Sequence, residues 1–258
     1  MMGELQYCEI LGTRINVTSM DRTLSYLRNH LEELRGNYIC VSNVHTTVMA
    51  YENEAYRRIQ NGGAMALPDG APLSVYSKKH GFSDAQRVTG PDLMVELRKA
   101  SKDEGYRHFF YGATDETLQA MKDAIGRDYP GARVVGMYAP PFRPLSPKED
   151  EAVVSLINHA KPDFIWVGLG APKQEQWMYG HKGQLCGVSV GVGAGFDYLA
   201  GDIKRAPGWM QKLCLEWLYR LLQDPRRLWK RYVTTNLKFI KYIRKEQGGR
   251  DGREGISE

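Results

Sequence analysis

The sequence lacks the features that would mark several common function classes. None of its apolar runs approaches the ~18 residues needed to cross a bilayer. The opening "MMGELQYCEILGTRINV" has no basic stretch followed by an apolar core, so no signal peptide is expected. Cys8, Cys40, Cys186 and Cys214 form no Cys-x-x-Cys pair and sit among apolar neighbours, which predicts buried free thiols and a reducing cytoplasm. The six histidines stand apart, and no His/Cys/Asp cluster has metal-ligand spacing. No Asp-x-Asp follows a strand-like run. The one acidic run, Glu149-Asp150-Glu151, suits the first turn of a helix, where negative charge is favoured.

Charge is present but uneven. The 258-residue chain carries a net +5. Between Ile203 and Lys245, twelve Lys and Arg face only Glu216 and Asp224, a local +10 that leaves the remainder at −5. A basic C-terminal stretch on an acidic body points to an anionic surface: membrane lipid, nucleic acid or a phosphorylated substrate.

Along the body, strand-like and helix-like runs alternate. Strands are predicted at 37–43, 65–67, 108–112, 132–137, 163–168 and 187–192. Helices are predicted at 46–62, 90–105, 114–131, 147–160 and 172–182, several with Pro near the start or Gly after the end. This alternation predicts an α/β fold: a mostly parallel sheet with helices on both faces. Ligands in such folds bind beyond the carboxyl ends of the strands. That rule selects Asn43, Asp69, Gly112, Gly168–Gly170 and Gly191–Gly195.

Three motifs deserve chemistry. In "VGLGAPKQE" (167–175), Gly168 and Gly170 allow close backbone approach, and Pro172 opens a helix whose free N–H groups attract an anion. Lys173 and Gln174 add a charge and an amide there. Lys173 occupies the third glycine position of a dinucleotide fingerprint, and Walker A spacing is absent, so a nicotinamide oxidoreductase is disfavoured. "GVGAGFDYLAG" (191–201) packs four glycines into eleven residues, with Gly193 in the turn and Asp197 placed either to cap a helix or to recognise a base or sugar. "RVTGPDL" (87–93) puts Arg87, a candidate phosphate ligand, ahead of a helix capped by Thr89 or Gly90. Asp69, in "AMALPDGAPLSVY" (64–76), reads from this segment alone first as a turn residue, with a carboxylate at the mouth of a site as the alternative.

The segment 205–245 reads as two amphipathic helices split by Asp224-Pro225. Met210, Leu213, Cys214, Trp217, Leu218, Leu221 and Leu222 form one apolar stripe. Leu228, Trp229, Tyr232, Val233, Leu237 and Ile240 form the second. Basic residues cover the rest. Packing on the body, binding at a membrane surface and gripping nucleic acid all fit this pattern.

Together these motifs resemble the WecG/TagA/CpsF family of bacterial glycosyltransferases, over roughly Tyr7 to Lys245. The likeness rests on "NVH", "PDG", "RVTGPDL", "VGLGAPKQEQW", "GVGAGFD" with its trailing Gly201, and "RAPGWMQKLCLEWLYRLLQDPRRLW". It implies a Rossmann-like core (1–202) and a basic helical appendage that meets membrane and acceptor (203–245); the polar, glycine-rich composition of 246–258 predicts a disordered tail. The resemblance also implies an enzyme on the cytoplasmic face of the cell membrane, inverting and metal-independent, with no cofactor. The enzyme would move a sugar, foremost N-acetylmannosamine, from a UDP-sugar to a polyprenyl-diphosphate-linked sugar in teichoic acid or polysaccharide synthesis. UDP-glucose or another UDP-hexose is the alternative donor, and a nucleic-acid-binding module is the alternative outside catalysis.

By this resemblance Asp69 is the catalytic base. Asn43, His45, Arg87, Gly112, Gly170, Lys173, Gln174, Gly193 and Asp197 serve the donor, with His45 also able to assist or replace Asp69. Arg220, Arg226 and Arg227 serve the acceptor diphosphate. Val41 departs from the pattern, because the teichoic acid branch carries threonine there; Ser42, Thr46 and Thr47 are the nearest replacement hydroxyls. The apolar stripes can also close a homo-oligomer when no membrane is present.

Overall fold

The structure is a computed structural model that describes residues 5–213 and 215–254. Its elements run β1 (Tyr7–Ile10), β2 (Thr13–Asn16), α1 (Met20–Leu34), β3 (Tyr38–Ser42), α2 (Val44–Glu52), α3 (Glu54–Gly62), β4 (Met65–Pro68), α4 (Ala71–Lys79) and α5 (Gly90–Glu104). They continue with β5 (Arg107–Gly112), α6 (Asp115–Asp128), β6 (Arg133–Tyr138), α7 (Pro147–Ala160), β7 (Phe164–Gly168), α8 (Lys173–Gly180) and β8 (Val188–Gly191). The C-terminal part holds α9 (Gly195–Ala200), α10 (Gly208–Lys212), α11 (Glu216–Gln223) and α12 (Pro225–Glu254).

Six strands form one parallel sheet in the order β4-β3-β8-β7-β5-β6, and β1 and β2 form a separate antiparallel hairpin. Side chains of the sheet divide by period two between its faces. Cys40, Phe109, Tyr111, Ile165 and Val167 pack on one face; Ile39, Val41, Phe110, Phe164, Trp166 and Val190 pack on the other. Both faces are buried, which explains why the strands read as continuous apolar runs. The predicted α/β architecture is the one observed.

Local chemistry explains the boundaries. Thr89 caps α5, accepting from the Asp92 N–H, and Gly105 closes that helix in the left-handed region at φ 72°. Ser146 and Glu149 make a capping box at α7, and Glu149 also receives Arg143. Asp150 meets His181 Nε2 at 3.0 Å. The acidic run therefore has structural partners. Near the start of β5, Trp166 Nε1 donates to His108 Nδ1 (3.0 Å), so His108 Nε2 carries the hydrogen and donates to Ser101 Oγ (2.6 Å). Burial pushes this imidazole down to about 3, and it stays neutral.

Several expectations are corrected. The helix predicted over 46–62 is two helices, because Asn53 leaves helical geometry (φ −134°, ψ 107°) and caps α3 through the Tyr56 N–H. The first C-terminal helix is also two, α10 and α11. The hairpin and α1 went unpredicted. Cys8 and Cys40 are buried as expected, but Cys186 is only half-buried, in the loop before β8. Cys214 lies outside the described residues. The stretch predicted to be disordered begins inside α12, which continues to Glu254; lengthening an existing helix needs no new nucleus.

Candidate active site

The carboxyl ends of β3 and β4 lie side by side, and the Asp69 N–H donates to the Ser42 carbonyl at 2.8 Å, extending their ladder by one step. This fixes Asp69 one residue beyond the sheet, before Gly70 and α4. The 86–88 segment runs alongside, with the Val88 N–H donating to the Pro68 carbonyl at 2.9 Å. The same backbone position that ends the strand thus presents the carboxyl group. Asp69 is half-buried. Burial, Glu216 and Asp92 push its carboxyl up to about 8, against the pull of Arg87 and Arg205. Burial thus raises the pH at which the ionised form expected of the base is reached. A base in that range is well matched to proton transfer near neutrality.

The neighbours form one ionic network. Arg87 Nη2 donates to Glu216 Oε2 at 3.0 Å, and Arg205 reaches both Glu216 Oε1 (3.4 Å) and Asp92 Oδ1. Thr89 Oγ1 donates to Asp92 Oδ2 at 2.6 Å. Burial acts to raise Asp92, but the hydrogen bonds from Arg205 and Thr89 outweigh it and hold the carboxyl below its usual range. Arg87, predicted as a phosphate ligand, is therefore occupied by a carboxylate from α11. Arg205, Asp92 and Glu216 escaped the sequence reading as site residues. The rarity of acids in the basic C-terminal stretch was the available signal for Glu216.

The donor-side candidates divide. The Asn43 side chain caps α2, accepting from the His45 and Thr46 N–H groups (3.0 and 3.2 Å). His45 Nδ1 lies 3.4 Å from Thr235 Oγ1 of α12, and burial and Arg231 lower its proton affinity, so it is neutral. Gln174 is buried; its Oε1 accepts from the Gly193 N–H at 3.0 Å and its Nε2 donates to Glu175 at 2.7 Å. Gln174 thus holds the Gly193 turn (φ +51°) beyond β8. Gly170 (φ +74°) ends the turn before a cis Ala171-Pro172 bond, and its carbonyl accepts from the Gln174 N–H, while Lys173 is exposed. Gly112 has a packing reason: at φ +131°, an added Cβ would lie 2.8 Å from the Gly168 backbone. Asp197 sits in the first turn of α9. None of the three replacement hydroxyls is uncommitted: Ser42 donates to Gln60, and Thr46 and Thr47 donate to the Asn43 carbonyl. Val41 is buried in the core.

On the appendage, Arg220 and Arg205 each lie 5.9 Å from the Tyr198 ring centre. Arg226 is exposed, and the Arg227 side chain lies outside the described residues. Helix α12 docks on α2 through Lys238 and Tyr242, both bound to Glu52 (2.8 and 2.6 Å). Its stripe packs only in part: Leu228 and Phe239 are buried, whereas Trp229 and Leu237 are 62% and 63% exposed. No helix among the described residues is long and apolar enough to cross a membrane. Among the described residues no group of three His, Cys, Asp or Glu side chains is arranged to hold a metal ion. Recesses of about 460 Å³ beside α6 and β6 and about 380 Å³ beside β1 contain none of the predicted residues.

A carboxyl group and two arginines are thus gathered beyond the strand ends of a parallel sheet, the edge at which folds of this class bind ligands. Residues 8–252 match the glycosyl transferase WecG/TagA/CpsF family, and the chain belongs to it. It is similar to the N-acetylglucosaminyldiphosphoundecaprenol N-acetyl-beta-D-mannosaminyltransferase of Bacillus spizizenii, at 32% identity over 81% of this chain and 82% of the relative. The enzymes of the same name from Bacillus subtilis strain 168 (30%; 85% and 83% covered) and Staphylococcus aureus strain MW2 (32%; 85% and 86% covered) are similar too. The protein is a glycosyltransferase.

Proposed function

We propose that this glycosyltransferase moves a sugar from a UDP-sugar to a polyprenyl-diphosphate-linked sugar, inverting the anomeric centre. The observation that carries the reading is Asp69: a half-buried carboxyl one residue past β4, raised to about 8 and flanked by arginines. The acceptor hydroxyl oxygen attacks C1 of the donor sugar. Its proton passes to ionised Asp69, the C1–O bond to the diphosphate breaks, and UDP leaves with the electron pair. Guanidinium groups and backbone N–H groups of the turn around Gly170 stabilise the departing charge, the role a metal ion would otherwise take. The relatives' name supplies the acceptor, an N-acetylglucosaminyl diphosphoundecaprenol, and the transferred group, N-acetylmannosamine. Teichoic acid or a related cell-surface polysaccharide is the product class we assign.

The C-terminal helices hold the enzyme at the inner membrane face. Exposed Trp209, Trp217, Trp229 and Leu237 supply apolar contact, and the basic residues around them favour anionic lipid by ~1 kcal/mol each near the surface. Buried Val41 and the committed hydroxyls around Asn43 favour keeping a different UDP-hexose, such as UDP-glucose, as the second reading of the donor.

A donor screen tests the function. The enzyme is incubated with each UDP-sugar and a short-chain prenyl-diphosphate N-acetylglucosamine, and the products are weighed by mass spectrometry. Gain of one N-acetylhexosamine from UDP-N-acetylmannosamine is expected. Absence of product with every UDP-sugar rejects the reading.

A further inference from the structure

Five charged groups meet beside the β4 turn. Arg87 lies on the segment whose Val88 N–H bonds the Pro68 carbonyl next to Asp69, and ion pairs join it to Glu216 of α11, then to Arg205 ahead of α10 and Asp92 of α5; all four bear electrostatically on Asp69. Three are carboxyl groups and two are guanidinium groups. With every member ionised the cluster carries one surplus negative charge, so one carboxyl has no guanidinium to itself. The hydrogen bonds show which one. Asp92 holds Arg205 and Thr89; Glu216 holds Arg87 and shares Arg205. The guanidinium groups are turned toward these two acids.

Glu216 is also the unusual member. It is one of only two acids among the 43 residues from Ile203 to Lys245, in a stretch of +10. Its side chain is 17% exposed, wedged between arginines 87 and 205. An acid placed there by chance in a membrane-facing basic helix would be expected on the wet side, and it would contribute little. Here it stitches α11 to the active-site edge.

We propose that Glu216 is a positioning residue for Asp69: by ion-pairing with Arg87 and Arg205 it orients both guanidinium groups and weakens their pull on the Asp69 carboxyl, so that seating of the C-terminal segment leaves Asp69 as the member of the cluster that holds the proton. When the segment lifts, or when an incoming diphosphate competes for the two arginines, the balance around Asp69 changes. The proton state of the base is thereby tied to the contact between α11 and the body. This inference rests on Asp69 as the base only for its consequence in catalysis; the charge arrangement itself does not depend on the substrate.

The test is a ¹³C NMR titration of the side-chain carboxyl carbon of Asp69 in aspartate-labelled full-length protein, assigned by its disappearance in Asp69→Asn. Wild type is expected to titrate near 8. Glu216→Gln releases Arg87 and lowers the midpoint by a unit or more, a tenfold or greater loss of proton affinity. Glu216→Asp keeps the charge and restores a midpoint near the wild-type one. Arg205→Gln removes a guanidinium while leaving Glu216 charged, and shifts the midpoint upward. Opposite signs from two neighbouring substitutions cannot come from general loosening, and thermal melting confirms that each variant is folded. Should Glu216→Gln fail to fold, the Arg205→Gln and Glu216→Asp titrations decide. An unchanged or raised midpoint in Glu216→Gln, or an unchanged or lowered one in Arg205→Gln, overturns the proposal. The acid limb of the transfer rate should follow the same shifts. Absence of transfer in wild type would reject the proposed function and leave the titration result standing.

Discussion

Gly112 separates a ligand role from a packing role. The sequence places it beyond a strand end, among the donor candidates, yet it pairs with Gly168 where β5 meets β7. Its φ of +131° is one that L-residues rarely adopt, and an alanine Cβ would stand 2.8 Å from both C and O of Gly168. Backbone strain of this kind costs about 1–3 kcal/mol. Forcing a methyl into a filled site adds about 1–3 kcal/mol. Gly112→Ala should therefore lose roughly 2–6 kcal/mol, an extreme value for one methyl group. Gly170 is the control: its φ is +74° but nothing lies within 4 Å of the added carbon. Gly170→Ala should cost only the left-handed penalty, about 1–2 kcal/mol. Urea unfolding followed by circular dichroism measures both. The midpoint for Gly112→Ala should fall well below that for Gly170→Ala at an unchanged slope. Equal losses, or a Gly112→Ala variant within about 0.5 kcal/mol of wild type, a change typical of surface positions, would show that the β5–β7 contact does not need glycine.

Asp69→Asn should fold normally and lose transfer by two or more orders of magnitude; near-wild-type turnover removes Asp69 from the role. The same variant should gain stability relative to wild type as pH rises. The folded carboxyl is raised to about 8 from 3.8, so ionisation progressively destabilises wild type between those values, and melting curves at pH 5 and 8.5 reveal the difference. Transfer by wild type should fall about tenfold per unit below pH ~8, because the base must be ionised; a flat profile from pH 6 to 8 contradicts this. Exhaustive chelation should leave the rate unchanged, and a loss reversed by a divalent cation would reject metal independence. Trp229→Ser with Leu237→Ser should weaken binding to anionic vesicles at least tenfold without lowering the melting midpoint, since both side chains are exposed; unchanged sedimentation with vesicles counts against a membrane face.

The body of the fold was legible because its signals are local. Both faces of the sheet are covered, so strands such as Phe164–Gly168 are apolar throughout, and capping residues such as Thr89, Thr114 and Ser146 mark helix starts in the sequence itself. Breaks that depend on a single polar residue were harder. Asn53 divides α2 from α3 by taking the Tyr56 N–H, yet the apolar spacing on either side continues almost in phase. The α11 boundary has no such marker, since no side-chain cap bonds its first turn.

The site was legible wherever topology decides position, and obscure wherever partners are distant in sequence. Asp69 had to lie beyond β4 once the strand was recognised. What sets its proton affinity could not be read the same way. Arg87 and Glu216 are 129 residues apart, and Arg205 and Asp92 are 113 apart. Each arginine taken alone resembles a surface cation awaiting an anionic ligand. Composition did hold a usable clue: an acid conserves little of a basic segment's attraction for lipid, so Glu216 needs a compensating contact elsewhere. Gln174 carries the same lesson in reverse. Its position in a glycine-rich motif suggested direct contact with substrate, whereas its amide is divided between Glu175 and the Gly193 N–H. What it does in the structure is hold the Gly193 turn. A side chain at the right edge of a sheet can thus be committed to a neighbouring turn, and the distinction depends on hydrogen bonds that pattern alone does not record.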